Sequence, residues 1–533
     1  RYKGAYSGEH GDGLARGEWI AWQFGPRLTR AFEEIKGLFD PKGLLNPGKI
    51  VDPPKMDQRE LFRYPRGYRT IELKTALDWS AWDVQNDPRT EALGPPGSGG
   101  DPTGGFAKAV EMCNNNGHCR KFDAGTMCPS FRATRDEQHL TRGRANTLRQ
   151  ALAGGLGSEG MTSQTLYEAM DLCVSCKGCK RDCPTGVDMA RMKVEFLDHY
   201  KAQHGHTLRD RLIAHLPRYA HWGARLPGLF NLRDNLPGAA VWSERLLGFA
   251  ARRRLPTWRK DTFLAGLSFA VGVDGQVAPQ CRGETGEVVL FADTFNNTFE
   301  PENPNSALQL LEAAGYTVHI ALPVDRKKRF RPLCCGRTYL TTGMVARAKQ
   351  EARRTVAALA PFAERGVPIV GLEPSCLLTL RDEYGVMGLD AAAATVAAQS
   401  LLFEEFMVRE HRAGRIKLKF GPLRHKTALL HGHCHQKAFD AVTPVQTMLS
   451  WVPQLTVSQV ESGCCGMAGA FGYEAAHYDV SMAMAELALL PAVRAADANA
   501  VIVADGTSCR HQILDGAGRE AVHAARVLSM ALR

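Results

Sequence analysis

The stretch CVSCKGCKRDCP, Cys173 to Pro184, spaces four cysteines by three, three and four residues and ends in proline. Three thiolates on so tight a loop can grip three irons of a cubane [4Fe–4S] cluster, and the proline helps turn the fourth thiolate towards a second cluster. Structural zinc sites instead pair two CxxC units at a distance and lack the trailing Cys-Pro. Upstream, CNNNGHCRKFDAGTMCPS puts Cys113, Cys119 and Cys128-Pro129 at the first, third and fourth positions of the same run, with Asn116 at the second and an insertion before Cys128. If the two runs exchange fourth ligands, Cys173, Cys176, Cys179 and Cys128 hold one complete cluster. Cys113, Cys119 and Cys183 hold another, one thiolate short. That second site is open to three readings: a [3Fe–4S] cluster, a non-cysteine ligand such as Asp123, or no cluster, with Cys183 then serving as fourth ligand of the first.

The second half repeats itself. RPLCCGRTYLTTG at Arg331 matches ESGCCGMAGAFG at Glu461, and LEPSC ending at Cys376 matches ADGTSC ending at Cys509, each at a lag of about 130 residues. Cys376, Cys434 and Cys509 each follow an apolar strand, and ligands gather at the carboxyl ends of strands in open parallel sheets. The pairs Cys334-Cys335 and Cys464-Cys465, each followed by glycine, would close over the same edge. The second repeat thus offers four candidate metal ligands, Cys434, Cys464, Cys465 and Cys509. The first keeps Cys334, Cys335 and Cys376, which also suit small buried hydrophobes. His431, His433 and His435 around Cys434 read as a strand-end loop, or as further ligands or proton carriers.

A third motif, SGEHGDG at Ser7 to Gly13, sets the carboxylate of Glu9 beside the imidazole of His10 in a glycine-rich turn. That pairing suits one metal ligand and one base; taken alone it is also an ordinary surface turn.

The elements that must position these groups follow from patterning. Helices are expected over 17–38, 145–153, 165–171, 306–315, 344–365 and 478–495, with an amphipathic stretch at 242–251. VVLFADT, TVHIAL, VPIVGLE, TALLHGH and AVIVADG read as strands, and their alternation with helices implies parallel βαβ units. Six segments result: 1–55; a linker, 56–105, ending in LGPPGSGGDPTGG; a cysteine-bearing helical domain, 106–205; a helical connector, 206–285; and two α/β repeats, 286–400 and 401–533, facing each other across a pseudo-twofold axis. The fold class is therefore multidomain. The chain has 533 residues, is 44% hydrophobic and carries a net charge of +10. No run of about 18 apolar residues marks a membrane span. The basic runs at 252–254 and 326–331 read as solvated faces, so no nucleic-acid partner is expected. Fifteen cysteines grouped as CxxC and CC units argue for reduced thiolates and a cytoplasmic location. The start at Arg1 rather than Met reads as a truncation.

Two resemblances sharpen these readings. The paired CCG segments resemble the cysteine-rich CCG domains found in heterodisulfide reductase, in the electron-transfer component of anaerobic glycerol-3-phosphate dehydrogenase and in lactate-utilisation proteins, which carry electrons. Their pattern is incomplete here: Thr294 stands at the leading position of the first repeat and Gln512 at the last of the second. SGEHGDG followed by FDPKGLLNPGKI resembles the carboxyl end of the FAD-linked oxidase family, which includes glycolate oxidase, D-lactate dehydrogenase and D-2-hydroxyglutarate dehydrogenase. That resemblance implies an α/β segment of an oxidase cap domain over 1–55, followed by an α-helical ferredoxin-like domain and two CCG domains. It implies Glu9 as a ligand of an active-site Zn²⁺ completed by residues upstream of the chain, His10 as the base for the substrate hydroxyl, and Asn46 near flavin or substrate. The implied activity is oxidation of a D-2-hydroxyacid, D-2-hydroxyglutarate first, with FAD and a [4Fe–4S] cluster passing electrons to a quinone or soluble carrier. D-lactate or glycolate oxidation on the same architecture is the alternative. So is a non-catalytic electron-transfer component like that of the glycerol-3-phosphate enzyme. A homo-oligomer, and a peripheral contact of 242–254 with the inner membrane, are both compatible with the sequence.

Overall fold

Short β-branched runs ending in polar residues build two small sheets in the second half. In order, the strands are β1 (Gly286–Phe291), β2 (Tyr316–Ile320), β3 (Ile369–Gly371), β4 (Ser400–Leu402), β5 (Thr427–Leu430), β6 (Thr456–Gln459), β7 (Val501–Val503) and β8 (Ala521–Val522). The sheets run β2-β1-β3-β4 and β6-β5-β7-β8, every pairing parallel. One winding thus occurs twice, as the CCG repeat requires. The computed structural model describes residues 11–13, 16–58, 68–83, 101–122, 125–269, 278–324 and 331–533. Glu9, His10 and Asp123 lie outside them.

The described chain forms two units. The smaller, drawn from 1–69 and 84–100, holds the helix Ile20–Phe39, bent at Gly25 (φ 73°) ahead of Pro26. Proline removes a backbone donor and crowds the preceding turn, so a kink falls there. Asp40 closes this helix by accepting hydrogen bonds from the backbone N–H groups of Leu44 and Leu45. Asn46, in the turn that follows, adopts a left-handed conformation (φ 44°) and is exposed.

The larger unit holds 70–83 and 101–533. Part of the stretch expected to link domains is built into it. Leu77 and Trp79 are buried, and the buried Glu195 carboxylate accepts from the backbone N–H groups of Ala76 and Leu77 and from Trp79 Nε1. Glu195 belongs to Met189–His204, a helix of 16 residues begun by Asp188, whose side chain accepts from Arg191 N–H. The 206–255 region consists of short helices: Leu208–Ala214, Leu216–Arg225, Pro227–Phe230, Leu232–Asn235 and Ala239–Leu247. The last stops at Gly248, in the left-handed region, so the amphipathic helix ends earlier than its pattern implied. The helix expected over 478–495 is two, Tyr478–Glu486 and Leu489–Ala495. Pro491 has no N–H for the carbonyl one turn back, and the chain breaks before it.

The strand ends of the two sheets meet. Past β7, Thr507 N–H donates to Glu373 Oε2 just beyond β3. Past β8, His523 Nε2 lies 3.0 Å from Leu372 O. The Arg510 guanidinium pairs with Glu300 across the same junction.

Candidate iron–sulfur and thiol centres

All fifteen cysteines are free thiols. In the CVSCKGCKRDCP loop, Ser175 (φ 50°) and Lys177 (φ 60°) both adopt the left-handed region, rare for residues with a Cβ. These reversals coil the loop so that Cys173, Cys176 and Cys179 face one small cavity. Cys128, itself left-handed (φ 53°) at the start of the helix Pro129–Thr134, lines the same cavity. The two cysteine runs touch directly: Thr126 donates from N and Oγ1 to Asp182 Oδ2. A Cβ on Gly178 would fall 2.9 Å from Thr126 C and O, so only glycine allows this approach.

The structure therefore brings together Cys173, Cys176, Cys179 and Cys128. Cys183 does not line that cavity; its Sγ lies 3.3 Å from Thr185 Oγ1. Cys113 and Cys119 are buried, and burial, with Cys113 nearby, raises the Cys119 thiol. Burial drives the Cys128 thiol up to about 11 and raises Cys176 and Cys179 as well. Buried thiols so placed ionise only when a cation compensates them. That fits an iron–sulfur cluster, whose ligands are thiolates.

The second-repeat thiols form another buried group. Cys434 opens the helix Cys434–Ala438, Cys464 and Cys465 sit on the loop after β6, and Cys509 lies in the helix Thr507–Ala517. Hydrogen bonds run from Cys434 through Cys464 and Cys465 to Cys509. A bond from Cys464 holds Cys434 down at about 6, and bonds from Cys464 and Cys509 depress Cys465. Cys464 and Cys509 are raised in turn. His431 brings a ring nitrogen within 4.8 Å of the Cys465 and Cys509 sulfurs. Its Nδ1 meets Ser462 Oγ at 2.9 Å, and its Nε2 is buried with no hydrogen-bond partner. Burial lowers this imidazole to about 4, leaving it neutral and able to ligate. Four thiols and an unpartnered ring nitrogen make a set that fits a metal or cluster.

The first-repeat thiols differ. Cys334, Cys335 and Cys376 are buried and hydrogen-bonded in series, yet all three are raised, Cys376 to about 12. Thr294, at the position a leading cysteine would take, is buried with an unpartnered hydroxyl. The glycine after each CC pair plays the same part in both repeats. Gly336 (φ 89°) and Gly466 (φ 85°) are left-handed, and their N–H groups meet the sulfurs of Cys334 and Cys464 at 3.3 and 3.5 Å.

The cubane loop and the second-repeat thiols are neighbours. His435 Nε2 lies 3.1 Å from Ser175 O, and Cys434 acts electrostatically on Cys176. Lys177, between Cys176 and Gly178, is buried against Asp382 and Glu383 of the first repeat. Sequence spacing gave no sign of this lysine, because its partners lie far along the chain. Nor did it mark Glu404, Asp505 and His523, whose ligand atoms cluster within 4.8 Å at the facing strand ends. Burial there, with Asp505 nearby, pushes Glu404 far above the usual carboxylate range.

Residues 1–50 match the family described as FAD linked oxidases, C-terminal domain, and residues 109–187 the 4Fe-4S dicluster domain. Over 97% of its length the chain is 26% identical to a D-2-hydroxyglutarate dehydrogenase of Escherichia coli, and over 99% it is 28% identical to one of Pseudomonas putida. It spans 51% of each, about half the length of these curated relatives. It is also 24% identical, over 61% of its length, to one component polypeptide of the anaerobic glycerol-3-phosphate dehydrogenase of Escherichia coli, 78% of which is covered. The chain thus joins an FAD-linked oxidase C-terminal segment to a 4Fe-4S dicluster domain and two like-wound α/β repeats, and nearly all of it is similar to D-2-hydroxyglutarate dehydrogenases.

Proposed function

We propose that the chain serves the FAD- and iron–sulfur-dependent oxidation of D-2-hydroxyglutarate to 2-oxoglutarate, and that it carries the electrons away. The supporting observation is the contact between the two thiol groups: the cubane loop abuts the second-repeat thiols through His435 and Ser175. Such an arrangement has a use where a two-electron donor feeds one-electron centres. When bound, FAD accepts hydride and an iron–sulfur cluster carries single electrons. Cys173, Cys176, Cys179 and Cys128 hold the cluster, with Cys113, Cys119 and Cys183 available to a second. Glu9 offers a carboxylate to a Zn²⁺ ion, His10 takes the substrate hydroxyl proton, and Asn46 lies beside flavin or substrate. The repeats are CCG domains, the second binding metal through Cys434, Cys464, Cys465 and Cys509. The protein works in the cytoplasm; no described helix is long and apolar enough to cross a membrane.

A second reading, an electron-transfer component without its own catalysis, draws on the similarity to the glycerol-3-phosphate dehydrogenase polypeptide. The oxidase match over 1–50 speaks against it. The test is anaerobic addition of D-2-hydroxyglutarate to the protein expressed together with its FAD-binding domain. Bleaching of the flavin band by this acid, but not by D-lactate or the L-enantiomer, is the expected result. No bleaching by any 2-hydroxyacid would leave the electron-transfer reading in its place. Glu9→Gln and His10→Asn should each abolish bleaching while iron content is kept.

A further inference from the structure

Arginine keeps its proton inside proteins, so a buried guanidinium needs negative charge nearby. Arg144, on the helix Thr141–Leu152, is 2% exposed. It lines the small cavity that Cys128, Cys173, Cys176 and Cys179 share. Its hydrogen bonds go to neutral oxygens: Nε donates to Ala169 O and Nη2 to Ser130 Oγ, both at 2.9 Å. Among the described residues, no carboxylate forms an ion pair with it. An isolated charge in so dry a place is strongly unfavourable. The charge of Arg144 does reach one sulfur, for it opposes the burial that raises Cys128.

A second cation stands beside the same loop. Lys193, partly buried on Met189–His204, donates to Cys173 O at 2.7 Å and to Asp171 O at 2.9 Å. These are again neutral oxygens, and among the described residues no carboxylate is in ion-pair contact with it. Burial lowers this ammonium, Cys173 does most to raise it again, and Arg144 is near enough to oppose that. Asp171 and Glu474 act on Lys193 from further off, but His477 engages Asp171 and Arg209 engages Glu474. Lys177, by contrast, is already matched by Asp382 and Glu383. Two unmatched positive charges thus flank one group of four thiols. Four thiolates around a [4Fe–4S]²⁺ core carry a net charge of about −2, which these two cations balance. The second thiol group is served alike. The buried Lys437 donates to Ser462 O and, at 3.3 Å, to Gly463 O, and the four sulfurs beside it are what raise it.

We propose that Arg144 and Lys193 are the fixed counter-charges of the cubane cluster and hold its reduction potential up, so that it accepts electrons from reduced flavin. In that step the flavin gives up one electron and the cluster core passes from 2+ to 1+. Positive charge in a medium of low dielectric favours the more negative product. Neither residue touches the substrate; each acts through its field on the cluster. The inference rests on the proposed assignment of that cluster to Cys173, Cys176, Cys179 and Cys128.

The test is a redox titration of the protein expressed together with its FAD-binding domain, followed by electron paramagnetic resonance of the reduced cluster. Arg144→Met and Lys193→Met should each lower the equilibrium constant for reduction about tenfold or more, a fall of about 59 mV or more for a one-electron couple. Arg144→Lys, which keeps the charge, should stay near the unaltered midpoint. Arg144→Gln, which can still donate to Ala169 O, should shift as Arg144→Met does. Iron and sulfide analysis separates a shifted cluster from a lost one. Iron retained with the midpoint unmoved in Arg144→Met and Arg144→Gln overturns the inference and leaves Arg144 a hydrogen-bonding residue of the core. Where the Arg144 variants lose iron, Lys193→Met decides, and an unmoved midpoint there overturns the inference equally. No cubane signal in the unaltered protein would refute the cluster assignment itself, and the inference with it.

Discussion

Asp382→Asn tests whether the first repeat holds the cubane loop in place. Asp382 Oδ2 pairs with Lys177 Nζ, and Oδ1 lies 2.7 Å from Lys180 Nζ and 3.0 Å from Arg191. Lys177 is only 2% exposed, and Glu383 at 2.8 Å is its other partner. Burial alone would strip Lys177 of its proton, but the carboxylates of Glu383, Asp188 and Asp382 reverse that. Burial would likewise raise Asp382, yet Lys177 and Lys180 hold it far below the usual carboxylate range. Removing one member of a buried pair costs about 3–5 kcal/mol, because the other is left uncompensated. Since Glu383 remains beside Lys177, the loss should fall near the lower end, about 3 kcal/mol. Lys177→Met added to Asp382→Asn should recover a good part of it, because the stranded charge is gone. Lys180, 33% exposed in its side chain, should cost less than about 1 kcal/mol as Lys180→Met. Urea unfolding by linear extrapolation measures all four proteins, and iron and sulfide analysis should show cluster loss in Asp382→Asn alone. A cost of Asp382→Asn below about 1 kcal/mol, or a double variant no better than the single, would refute the buried-network argument.

The Glu300–Arg510 pair predicts a pH dependence. Burial would raise Glu300, but the charge and hydrogen bonds of Arg510 hold it at about 2, against an ordinary 4.5. Its contribution is therefore complete above pH 4.5 and lost as pH falls towards 2, at about 1.4 kcal/mol per unit. Glu300→Gln should be destabilised at pH 7, and its gap to the unaltered protein should narrow under acid; a constant gap would contradict this. Gly178→Ala should cost about 1–3 kcal/mol by overpacking and reduce iron content, because its methyl meets the Thr126 backbone. Normal iron and stability would show that the two cysteine loops are not in contact. Cys128→Ala should remove the cubane signal from electron paramagnetic resonance of the reduced protein, whereas Cys183→Ala should spare it. The reverse pattern would return Cys183 to the first cluster.

Local chemistry made much of this readable and long-range chemistry hid the rest. The helices Gln164–Asp171 and Val345–Ala363 fall within two residues of their expected bounds, because their apolar spacing is helical. Strands β1, β2, β3, β5 and β7 were marked by apolar runs. β4, β6 and β8 were not: they stand outside any longer apolar run, β6 as a mostly exposed TVSQ, and are recognisable only by the partner each pairs with. Met189–His204 went unmarked although it is long, since its polar and apolar residues follow no sharp stripe. The cysteine spacing named the cluster type and left Cys128 and Cys183 both open as fourth ligand; that Cys128 lines the cavity of the loop follows from left-handed turns at Ser175, Lys177 and Cys128, none of them glycine.

The two repeats show how far sequence matching carries and where electrostatics takes over. Both place a CC pair and a glycine alike, and both put a third cysteine beyond the third strand. In the second, Cys434 and His431 join the group, two thiols are depressed, and the buried Lys437 lies within reach of all four sulfurs. In the first, Thr294 replaces the leading sulfur, and the buried Asp293, itself raised to about 7, adds no positive charge. The neighbouring thiols and burial raise all three, Asp293 and Glu373 add to this at Cys376, and Arg354 interacts with Cys334 from the other side. The repeats therefore share a scaffold and divide its roles. The second sets two depressed thiols, Cys434 and Cys465, beside the cubane loop, and the first anchors that loop through Asp382 and Glu383.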